Sequence, residues 1–441
     1  MNILFVSLGC DKNLVDSEVM LGLLAQKGHQ MVDSEELADV IVVNTCCFIN
    51  DAKEESIQTI LEMAEYKKNG LIKALIVTGC LAQRYKQEIL DEIEEVDAVL
   101  GTTSYDKIVE VIDEALQGNK TLQMTDIDAL PTVESKRLVT TGGHFAYLKI
   151  AEGCDKHCTY CIIPKIRGNF RSVPMERLIQ EAKELVDQGV KEIILVAQET
   201  TLYGKDIYGE KSLHVLLKEL CKIGGLRWIR ILYCYPEEIT DELIQVIKEE
   251  DKICKYLDIP IQHASDTVLK RMGRRTSKQQ LIDIVQKLRE EIPGIALRTT
   301  LITGFPGETE EQHEELLEFV DEMEFDRLGV FTYSPEEDTP AATMPDQIEE
   351  SVKEDRQAEL MELQQEIAFD LAERMIGKEV IVMFEGKVAD ENVYVGRTYM
   401  DAPNVDGLIF VETNEELMSG DFAKVKITGA LEYDLIGELI S

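Results

Sequence analysis

The sequence predicts a multidomain α/β protein that ends in a small β-barrel, and three features of its apolar pattern support this fold class. In the first third of the chain, short apolar runs alternate with amphipathic helical patterns, as in a parallel sheet covered by helices. A second alternation has six strand-helix units, too few for a closed eight-stranded barrel but suited to an open, partial (β/α)6 barrel. Near the C-terminus, five short strand patterns separated by Gly, Asp and Asn predict a small five-stranded antiparallel barrel.

The strands are predicted where apolar runs end in turn residues. In the first unit they are residues 3–7, 40–44, 74–78 and 98–100; in the second 145–150, 192–197, 228–233, 256–259, 296–302 and 327–331; in the barrel 380–384, 387–389, 394–397, 407–411 and 422–428. A helical pattern follows each strand of the first unit and lies between successive strands of the second, so both units are expected to be parallel sheets.

Changes in this pattern divide the chain into five predicted segments. Residues 1–130 form the N-terminal α/β domain, and residues 131–141, which are polar and aperiodic, form a linker. Residues 142–345 form the partial-barrel domain. Residues 346–375 are rich in Glu, Gln, Leu and Ala with heptad-like spacing, so they are expected to be one long connecting helix. Residues 376–441 form the small barrel.

Composition and charge narrow the function classes. With 441 residues and 44% hydrophobic content, the chain can bury several cores, which excludes intrinsic disorder. The 46 basic and 84 acidic residues give a net charge of −38, which disfavours binding to bare DNA or an anionic membrane and favours a basic partner. From residue 376 onward, five basic residues accompany thirteen acidic ones, a net charge of −8, so this barrel has little basic surface for nucleic acid.

The ten cysteines are expected to remain thiols. The chain starts with a short apolar run that lacks a basic flank, which predicts a strand rather than a signal peptide. No stretch reaches the ~18 apolar residues of a membrane span. We therefore expect a cytoplasmic protein whose cysteines serve metal binding or catalysis rather than disulfides.

The sharpest motif is a CxxxCxxC loop formed by Cys154, Cys158 and Cys161, directly after the first strand of the second unit. Three thiolates at this spacing can hold three irons of a 4Fe-4S cluster and leave the fourth iron open to a substrate. The alternative is a zinc site, which usually needs four protein ligands. The only nearby candidate, His157, adjoins Cys158, and neighbouring residues rarely bind one ion together.

A second set of cysteines is spread over the first unit. Cys10, Cys46 and Cys80 each follow a predicted parallel strand, and the carboxyl ends of such strands face a common crevice. We therefore predict that the three thiols converge on a second 4Fe-4S cluster, again with one open iron. The alternative is that they are small buried apolar residues, as free cysteines often are. The remaining cysteines are expected only to pack: Cys47, Cys221, Cys234 and Cys254.

A CxxxCxxC loop after the first strand of a partial barrel resembles the radical S-adenosylmethionine (SAM) superfamily. Two cysteine trios followed by a long helix and a small barrel resemble, across essentially the whole chain, its methylthiotransferase family, whose last domain is called TRAM. The matching cysteine segments are Leu8-Gly9-Cys10-Asp11-Lys12-Asn13, Asn44-Thr45-Cys46-Cys47-Phe48-Ile49 and Thr78-Gly79-Cys80-Leu81-Ala82-Gln83. Residues 167–172, 232–236, 258–263 and 298–300 match in the radical domain.

These segments resemble most the branch of the family that modifies an aspartate of small-subunit ribosomal protein twelve. The tRNA-modifying branch typically has Gln-Met-Asn after the first cysteine and Ser-Gly in place of His263 and Ala264. This chain departs from the family pattern at three positions. Asp11 stands where Pro is common, Cys47 where Gly is common, and Asp338 where Gly usually precedes Thr-Pro.

The resemblance implies a reaction. In the family, one electron from the radical cluster cleaves SAM, and the resulting 5′-deoxyadenosyl radical removes hydrogen from the aspartate β-carbon. Sulfur reaches that carbon by way of the second cluster, and a second SAM supplies the methyl group, giving 3-methylthioaspartate. A one-electron donor such as flavodoxin or ferredoxin is implied as a partner. Two alternatives remain open: a tRNA adenosine 2-methylthiotransferase, which the acidic barrel disfavours, and a non-catalytic iron-sulfur scaffold that docks on ribosomes.

Five further residues are candidate SAM contacts because they lie at or near strand ends of the radical domain. Gln198, Glu199 and Thr200 offer hydrogen-bond partners, with local capping as the alternative. Arg298 could pair with a carboxylate of the cofactor, with a strand-end salt bridge as the alternative. Gly304 opens a strand-to-helix turn whose alternative role is purely structural.

Overall fold

A computed structural model describes residues 1–131, 133 and 136–440 and contains two six-stranded sheets and a closed five-stranded barrel. The predicted fold class is confirmed. The predicted linker includes Thr132, Glu134 and Ser135, and the predicted barrel segment includes Ser441; these four residues lie outside the described ones. Within the described part of the chain, no helix combines the length and apolarity needed to cross a membrane.

The first sheet is parallel throughout, with the strand order β2-β1-β3-β4-β5-β6. Its strands are β1 (Asn2–Ser7), β2 (Gln30–Val32), β3 (Val40–Thr45), β4 (Ala74–Gly79), β5 (Ala98–Leu100) and β6 (Thr121–Gln123). Its helices are α1 (Asp11–Gln26), α2 (Asn50–Lys68), α3 (Cys80–Tyr85), α4 (Gln87–Glu92) and α5 (Ile108–Leu116). Every residue of β3 and β4 is buried because helices cover both faces. The two edge strands were not predicted, since three half-exposed residues carry too little apolar pattern.

The second sheet has its main strands in chain order, as a partial barrel requires. The strands of this region, including a short hairpin, are β7 (Phe145–Lys149), β8 (Ala151–Glu152), β9 (Arg171–Ser172), β10 (Glu192–Val196), β11 (Trp228–Ile231), β12 (Ile253–Asp258), β13 (Ala296–Thr303) and β14 (Arg327–Thr332). The helices are α6 (Ile163–Arg167), α7 (Met175–Asp187), α8 (Lys205–Tyr208), α9 (Leu213–Cys221), α10 (Asp241–Glu249), α11 (Asp266–Arg271), α12 (Lys278–Glu291), α13 (Glu310–Met323) and α14 (Glu350–Glu373).

The long helix predicted before the barrel is present as α14, and it covers the edge strand β14. Gln357 donates a hydrogen bond of 2.7 Å to the carbonyl of Val330, and Lys353 donates one of 2.9 Å to the carbonyl of Tyr333. An exposed strand edge invites pairing with other chains, so a helix that uses its side chains in this way protects the sheet.

The C-terminal barrel closes in the order β15-β16-β17-β19-β18. Its strands are β15 (Glu379–Lys387), β16 (Val393–Arg397), β17 (Ile409–Glu412), β18 (Phe422–Ala430) and β19 (Leu435–Leu439). Two details of the prediction were wrong. Residues 380–384 and Lys387 belong to one strand, because Gly386 marks an irregularity in the register rather than a turn, and residues 388–389 follow the end of that strand. The fifth strand is β19, which pairs with β17 in parallel, so the barrel is not wholly antiparallel.

The barrel is joined to the second sheet through a buried carboxylate. Glu192 on β10 accepts hydrogen bonds of 2.8 Å from Arg230 on β11 and 2.7 Å from Arg397 on β16. All three side chains are fully buried. Arg230 also donates to the carbonyl of Tyr399 at 2.7 Å, so one charged group fixes barrel and sheet together.

Replacing Glu192 by Gln should loosen this contact. The variant leaves the buried Arg230 without its carboxylate partner and Arg397 with only Glu385, and breaking a buried ion pair typically costs about 3–5 kcal/mol. We expect a lower apparent free energy of unfolding, measured by chemical denaturation. Glu291→Gln, which breaks the exposed pair with Lys248, is the control and should change little. Equal stability of the two variants would contradict this role of Glu192.

Candidate active site

The first cysteine trio lies at the carboxyl ends of three adjacent strands. Cys10 follows β1, Cys46 follows β3 and Cys80 begins α3 directly after β4. The register pairs Ser7 with Asn44 and Thr45 with Gly79, so the three loops leave the sheet side by side. The predicted convergence of these cysteines therefore matches the order of the strands.

Two glycines allow the loops to approach closely. A Cβ at Gly9 would lie 2.7 Å from the Cβ of Cys46, and a Cβ at Gly79 would lie 2.5 Å from the carbonyl oxygen of Thr45. Both glycines have positive φ angles, +87° and +92°, which side chains disfavour. Glycine is therefore required at positions 9 and 79, directly before Cys10 and Cys80.

The three thiols differ in exposure. Cys10 is exposed, whereas Cys46 and Cys80 are buried. Burial raises the pKa of both buried thiols, and for Cys80 the nearby Arg167 guanidinium opposes this effect. A buried thiolate is not stabilised by water and needs a positive charge beside it. A metal centre would supply that charge.

The second trio lies in the loop between β8 and α6. Cys154 and Cys158 are buried and Cys161 is half-buried, and burial raises the pKa of Cys154 to about 12. Backbone hydrogen bonds fix the loop: Cys161 donates to the carbonyl of Cys158 at 3.0 Å, and Thr159 to that of Met272 at 2.9 Å. His157 is exposed, as expected of a loop residue rather than a metal ligand.

No group of three or more Cys, His, Asp or Glu side chains in the described ranges is arranged to hold a single metal ion. A zinc site needs its ligands around one ion. A 4Fe-4S cluster instead takes each thiolate on a different iron, so its cysteines stand further apart. The thiol-only chemistry of each trio and the burial of its members fit such a cluster better than a zinc ion.

A buried arginine connects the two trios. Arg167, the last residue of α6, follows Cys161 by six positions and reaches into the first domain. Its guanidinium lies 3.4 Å from the Sγ of Cys80 and donates hydrogen bonds of 2.9 Å to Asn13 and 2.8 Å to Asp16. The short helix that follows one cysteine loop therefore ends against a cysteine of the other.

Further buried charges extend this contact. Glu152, two residues before Cys154, accepts a hydrogen bond of 3.2 Å from Arg167 and one of 2.7 Å from Lys149. Lys149 also pairs with Asp16 of the first domain. Although burial opposes it, the two cations hold the pKa of Glu152 down to about 2. Two acids and two bases thus balance one another across the interface between the sheets.

One segment of the radical domain touches both cysteine loops. The hydroxyl of Tyr233 donates a hydrogen bond of 3.1 Å to Asp11, next to Cys10, and the Nζ of Lys12 lies 3.3 Å from the centre of the Tyr233 ring. Two residues later, the hydroxyl of Tyr235 lies 3.6 Å from the Sγ of Cys158. Tyr233 has a φ of +60°, a left-handed conformation that is unusual for an aromatic residue and often marks a functional site.

Three of the predicted SAM contacts lie close to the second trio. Gln198 donates a hydrogen bond of 2.8 Å to Glu152, and the hydroxyl of Thr200 donates to the carbonyl of Leu232 at 2.8 Å. Glu199 is fully buried, lies 3.5 Å from Lys156, and has a pKa that burial raises to about 8. Gln198 and Glu199 each keep one buried oxygen without a hydrogen-bond partner among the described residues. Thr200, by contrast, links the ends of two neighbouring strands through hydrogen bonds of its hydroxyl.

The other two candidates are placed differently. Arg298 is held by Asp258 at 3.0 Å and by Asp406 of the barrel at 3.2 Å. These contacts are those of the strand-end salt bridge, and the structure does not bring Arg298 together with the cysteines. Gly304 has a φ of +71°, and a Cβ there would lie 2.3 Å from Lys353 of α14, so this turn packs against the long helix.

Several residues of the site were not predicted. Lys149, Glu152 and Lys156 carry its buried charges, but no spacing in the sequence distinguishes them from surface charges. The one available signal was Glu152, a carboxylate at the end of an apolar strand and next to the cysteine motif.

Three family descriptions match separate parts of the chain. Residues 148–320 match the radical SAM superfamily, residues 2–101 match a family described as uncharacterized protein family UPF0004, and residues 376–440 match the TRAM domain. Together with the partial barrel and its CxxxCxxC loop, these matches define a radical SAM enzyme. This class uses a 4Fe-4S cluster and SAM.

Curated relatives match over nearly the whole length. A protein of Lachnoclostridium phytofermentans named ribosomal protein uS12 methylthiotransferase RimO is 68% identical, covering 99% of each chain. Proteins of the same name from Desulforamulus reducens and Clostridioides difficile are 53% and 50% identical, each covering 98% of both chains. The chain therefore belongs to the RimO family of radical SAM methylthiotransferases, and it is a transferase.

Solved structures share the fold at low sequence identity. The radical SAM methyltransferase TsrM from Kitasatospora setae aligns with a TM-score of 0.54 at 13% identity, covering 88% of this chain and 79% of that one. The cobalamin-dependent radical SAM enzyme OxsB aligns with a TM-score of 0.51 at 15% identity, covering 77% and 54%. This likeness concerns the architecture alone.

Arg167→Met should separate the two halves of the site. The variant leaves Asp16 and Glu152 buried with less counter-charge, for which we expect a loss of about 3–5 kcal/mol in stability. Hydrogen exchange should accelerate in α1 and α6, the helices that meet at this contact. Arg167→Lys keeps the charge but offers fewer donors, so its loss should be smaller.

The matched control is Arg374→Met, which removes an exposed partner of Glu324 and should leave exchange in α1 and α6 unchanged. Unchanged exchange in Arg167→Met as well would show that this arginine does not hold the interface.

Proposed function

We propose that this protein adds a methylthio group to the β-carbon of an aspartate in ribosomal protein uS12, giving 3-methylthioaspartate and using two SAM molecules. Near full-length identity of 68% to a relative of that name carries the proposal. The arrangement of the site supports it. A reaction that needs a radical and a sulfur source at one carbon needs two centres that face one substrate, and the segment from Tyr233 to Tyr235 touches both cysteine loops.

Each cysteine trio would hold one 4Fe-4S cluster. Cys154, Cys158 and Cys161 are assigned to the radical cluster, and Cys10, Cys46 and Cys80 to the second. When bound, the first cluster supplies the electron that cleaves SAM and the second supplies the position at which sulfur is delivered. Two observations support the second assignment. The three thiols follow adjacent strand ends, and the guanidinium of Arg167 lies 3.4 Å from the Sγ of Cys80.

The protein's own residues prepare the site for this chemistry. Burial of Cys154 and Cys158 would limit the access of water to a cluster held there, as radical chemistry requires. Within the part of the chain that the structure describes, Glu199 and Gln198 each retain an unpaired oxygen that could accept hydrogen bonds from the amino and hydroxyl groups of SAM. Thr200 holds the ends of β10 and β11 in place. Arg298 and Gly304 remain candidates for contacts that form only when SAM binds.

The charge of the chain supports a protein substrate. Ribosomal proteins bind RNA and are commonly basic, which complements a net charge of −38 and a barrel of −8. A tRNA substrate would need a basic surface, and this barrel has few basic residues that could form one. We further propose a cytoplasmic location, where the substrate is made, and an electron donor of the flavodoxin or ferredoxin type.

We propose that each domain of the chain has one part in this reaction. Residues 1–130 would carry the second cluster, 142–345 the radical chemistry and 376–441 the TRAM barrel, joined by the linker 131–141 and the helical segment 346–375. The matched family regions lie within these three domains.

Replacing Cys10, Cys46 and Cys80 together by Ala should uncouple the two halves of the reaction. We expect the iron content to fall by about half and 5′-deoxyadenosine formation to continue, because the radical cluster is intact. Methylthiolation of uS12 should be lost. The corresponding triple variant of Cys154, Cys158 and Cys161 should lose 5′-deoxyadenosine formation instead.

Cys221→Ala is the control for these variants, since Cys221 lies on α9, away from both trios, and should affect neither product. Methylthiolation that persists in the first triple variant would refute the role of the second cluster.

The substrate can be identified by mass spectrometry of uS12 from cells with and without this enzyme. We expect a gain of one methylthio group on one aspartate. Binding of the enzyme to uS12 and to tRNA, compared at several salt concentrations, is the companion measurement. A methylthio group found on tRNA adenosine, with uS12 unmodified, would favour the alternative.

A further inference from the structure

We propose that Lys12 and Tyr233 form the site that binds the side-chain carboxylate of the substrate aspartate, and that Asp11 fills this site when substrate is absent. The inference rests on the proposed function, and it assigns a recognition role to two residues that bind neither cluster.

The site already holds a carboxylate. Oδ1 of Asp11 lies 2.9 Å from the Nζ of Lys12 and accepts a hydrogen bond of 3.1 Å from the hydroxyl of Tyr233. The side chains of Lys12 and Asp11 are only 9% and 8% exposed. A buried ammonium group and a phenol hydroxyl that converge on one oxygen form a typical carboxylate site.

Asp11 fills this site incompletely. Its second oxygen, Oδ2, is buried and has no hydrogen-bond partner in the described part of the chain. An unsatisfied buried oxygen of a charged group costs free energy, so Asp11 is a poor permanent occupant. Asp11 is the first residue of α1, where a residue without this carboxylate, even Pro, is compatible with the helix. The one local use of this carboxylate in the helix is a hydrogen bond of 3.0 Å that Oδ1 accepts from the backbone N–H of Lys12, a first-turn amide that water can also satisfy.

The location matches the reaction. Asp11 adjoins Cys10 of the first trio, and Tyr233 is two residues from Tyr235, whose hydroxyl lies 3.6 Å from the Sγ of Cys158. In aspartate the β-carbon is bonded directly to the carboxylate carbon. A carboxylate held by Lys12 and Tyr233 thus places the reacting carbon in the region between the two cysteine loops.

The test compares uS12 with a version in which the target aspartate is replaced by asparagine. Affinities for the anaerobic holoenzyme are measured by fluorescence anisotropy. Wild-type enzyme should prefer the aspartate form by about tenfold or more, the loss typical of one charge-assisted hydrogen bond. Lys12→Gln should remove this preference, and Tyr233→Phe, which keeps the ring, should reduce it.

Asp11→Asn gives the prediction with the opposite sign. Removing the competing carboxylate should tighten binding of the aspartate form several-fold and leave the asparagine form unchanged. Lys73→Gln is the matched control, because Lys73 pairs with Asp39 at 2.7 Å at the opposite end of the first sheet. It should preserve the wild-type preference.

Iron content and the affinity for SAM are measured for every variant. A preference for aspartate that survives in Lys12→Gln, or weaker binding of the aspartate form to Asp11→Asn, would overturn the inference. So would a loss of SAM affinity in Lys12→Gln without a change in uS12 binding, because the carboxylate held would then be that of SAM. Wild-type enzyme that neither binds nor modifies uS12 would instead refute the proposed function itself.

Discussion

The geometry of this enzyme depends on the pairing of buried charges where its two parallel sheets meet. Asp16 belongs to the first domain, whereas Lys149, Glu152 and Arg167 belong to the second. Charges removed from water are tolerated only when each has a partner, and separating the domains would leave Asp16 without one, while Lys149 and Arg167 would keep only Glu152. Since Arg167 ends the helix after Cys161 and contacts Cys80, the same pairing fixes one cysteine trio relative to the other.

Apolar packing along α1 reinforces this arrangement. Val15 of this helix shares an apolar cluster with Phe145 and Tyr147 of β7, and the same cluster continues into the core of the barrel. The helix that begins directly after Cys10 is therefore held by the radical sheet as well as by its own domain. Glu192 and its two arginines fix the barrel against that sheet, so the three parts of the chain constrain a single site.

The features that could be predicted from the sequence depend on local residue patterns. The features that were missed depend largely on contacts between domains. The sequence could place Cys10, Cys46 and Cys80 after three strands that prove to be adjacent, because strand ends in a parallel sheet share an edge. Gly386 was misjudged because a glycine at a strand irregularity and a glycine in a turn have the same local pattern. Arg167 and Arg298 each have one carboxylate partner in another domain, Asp16 and Asp406, which no periodicity within one element could indicate.

Several energetically unfavourable features of the described residues lie at strand ends near the two cysteine loops. His157, Tyr233 and Gln262 adopt left-handed backbone conformations beside the cysteine loop or after β11 and β12. Buried oxygens of Asp11, Gln198 and Glu199 that have no hydrogen-bond partner among the described residues lie in the same region. Folding alone gives no reason to retain strain and unsatisfied polar groups together, since each is costly. In the proposed site, amino and hydroxyl groups of SAM would donate hydrogen bonds to the oxygens of Gln198 and Glu199, and the substrate carboxylate would displace that of Asp11 rather than bond to it.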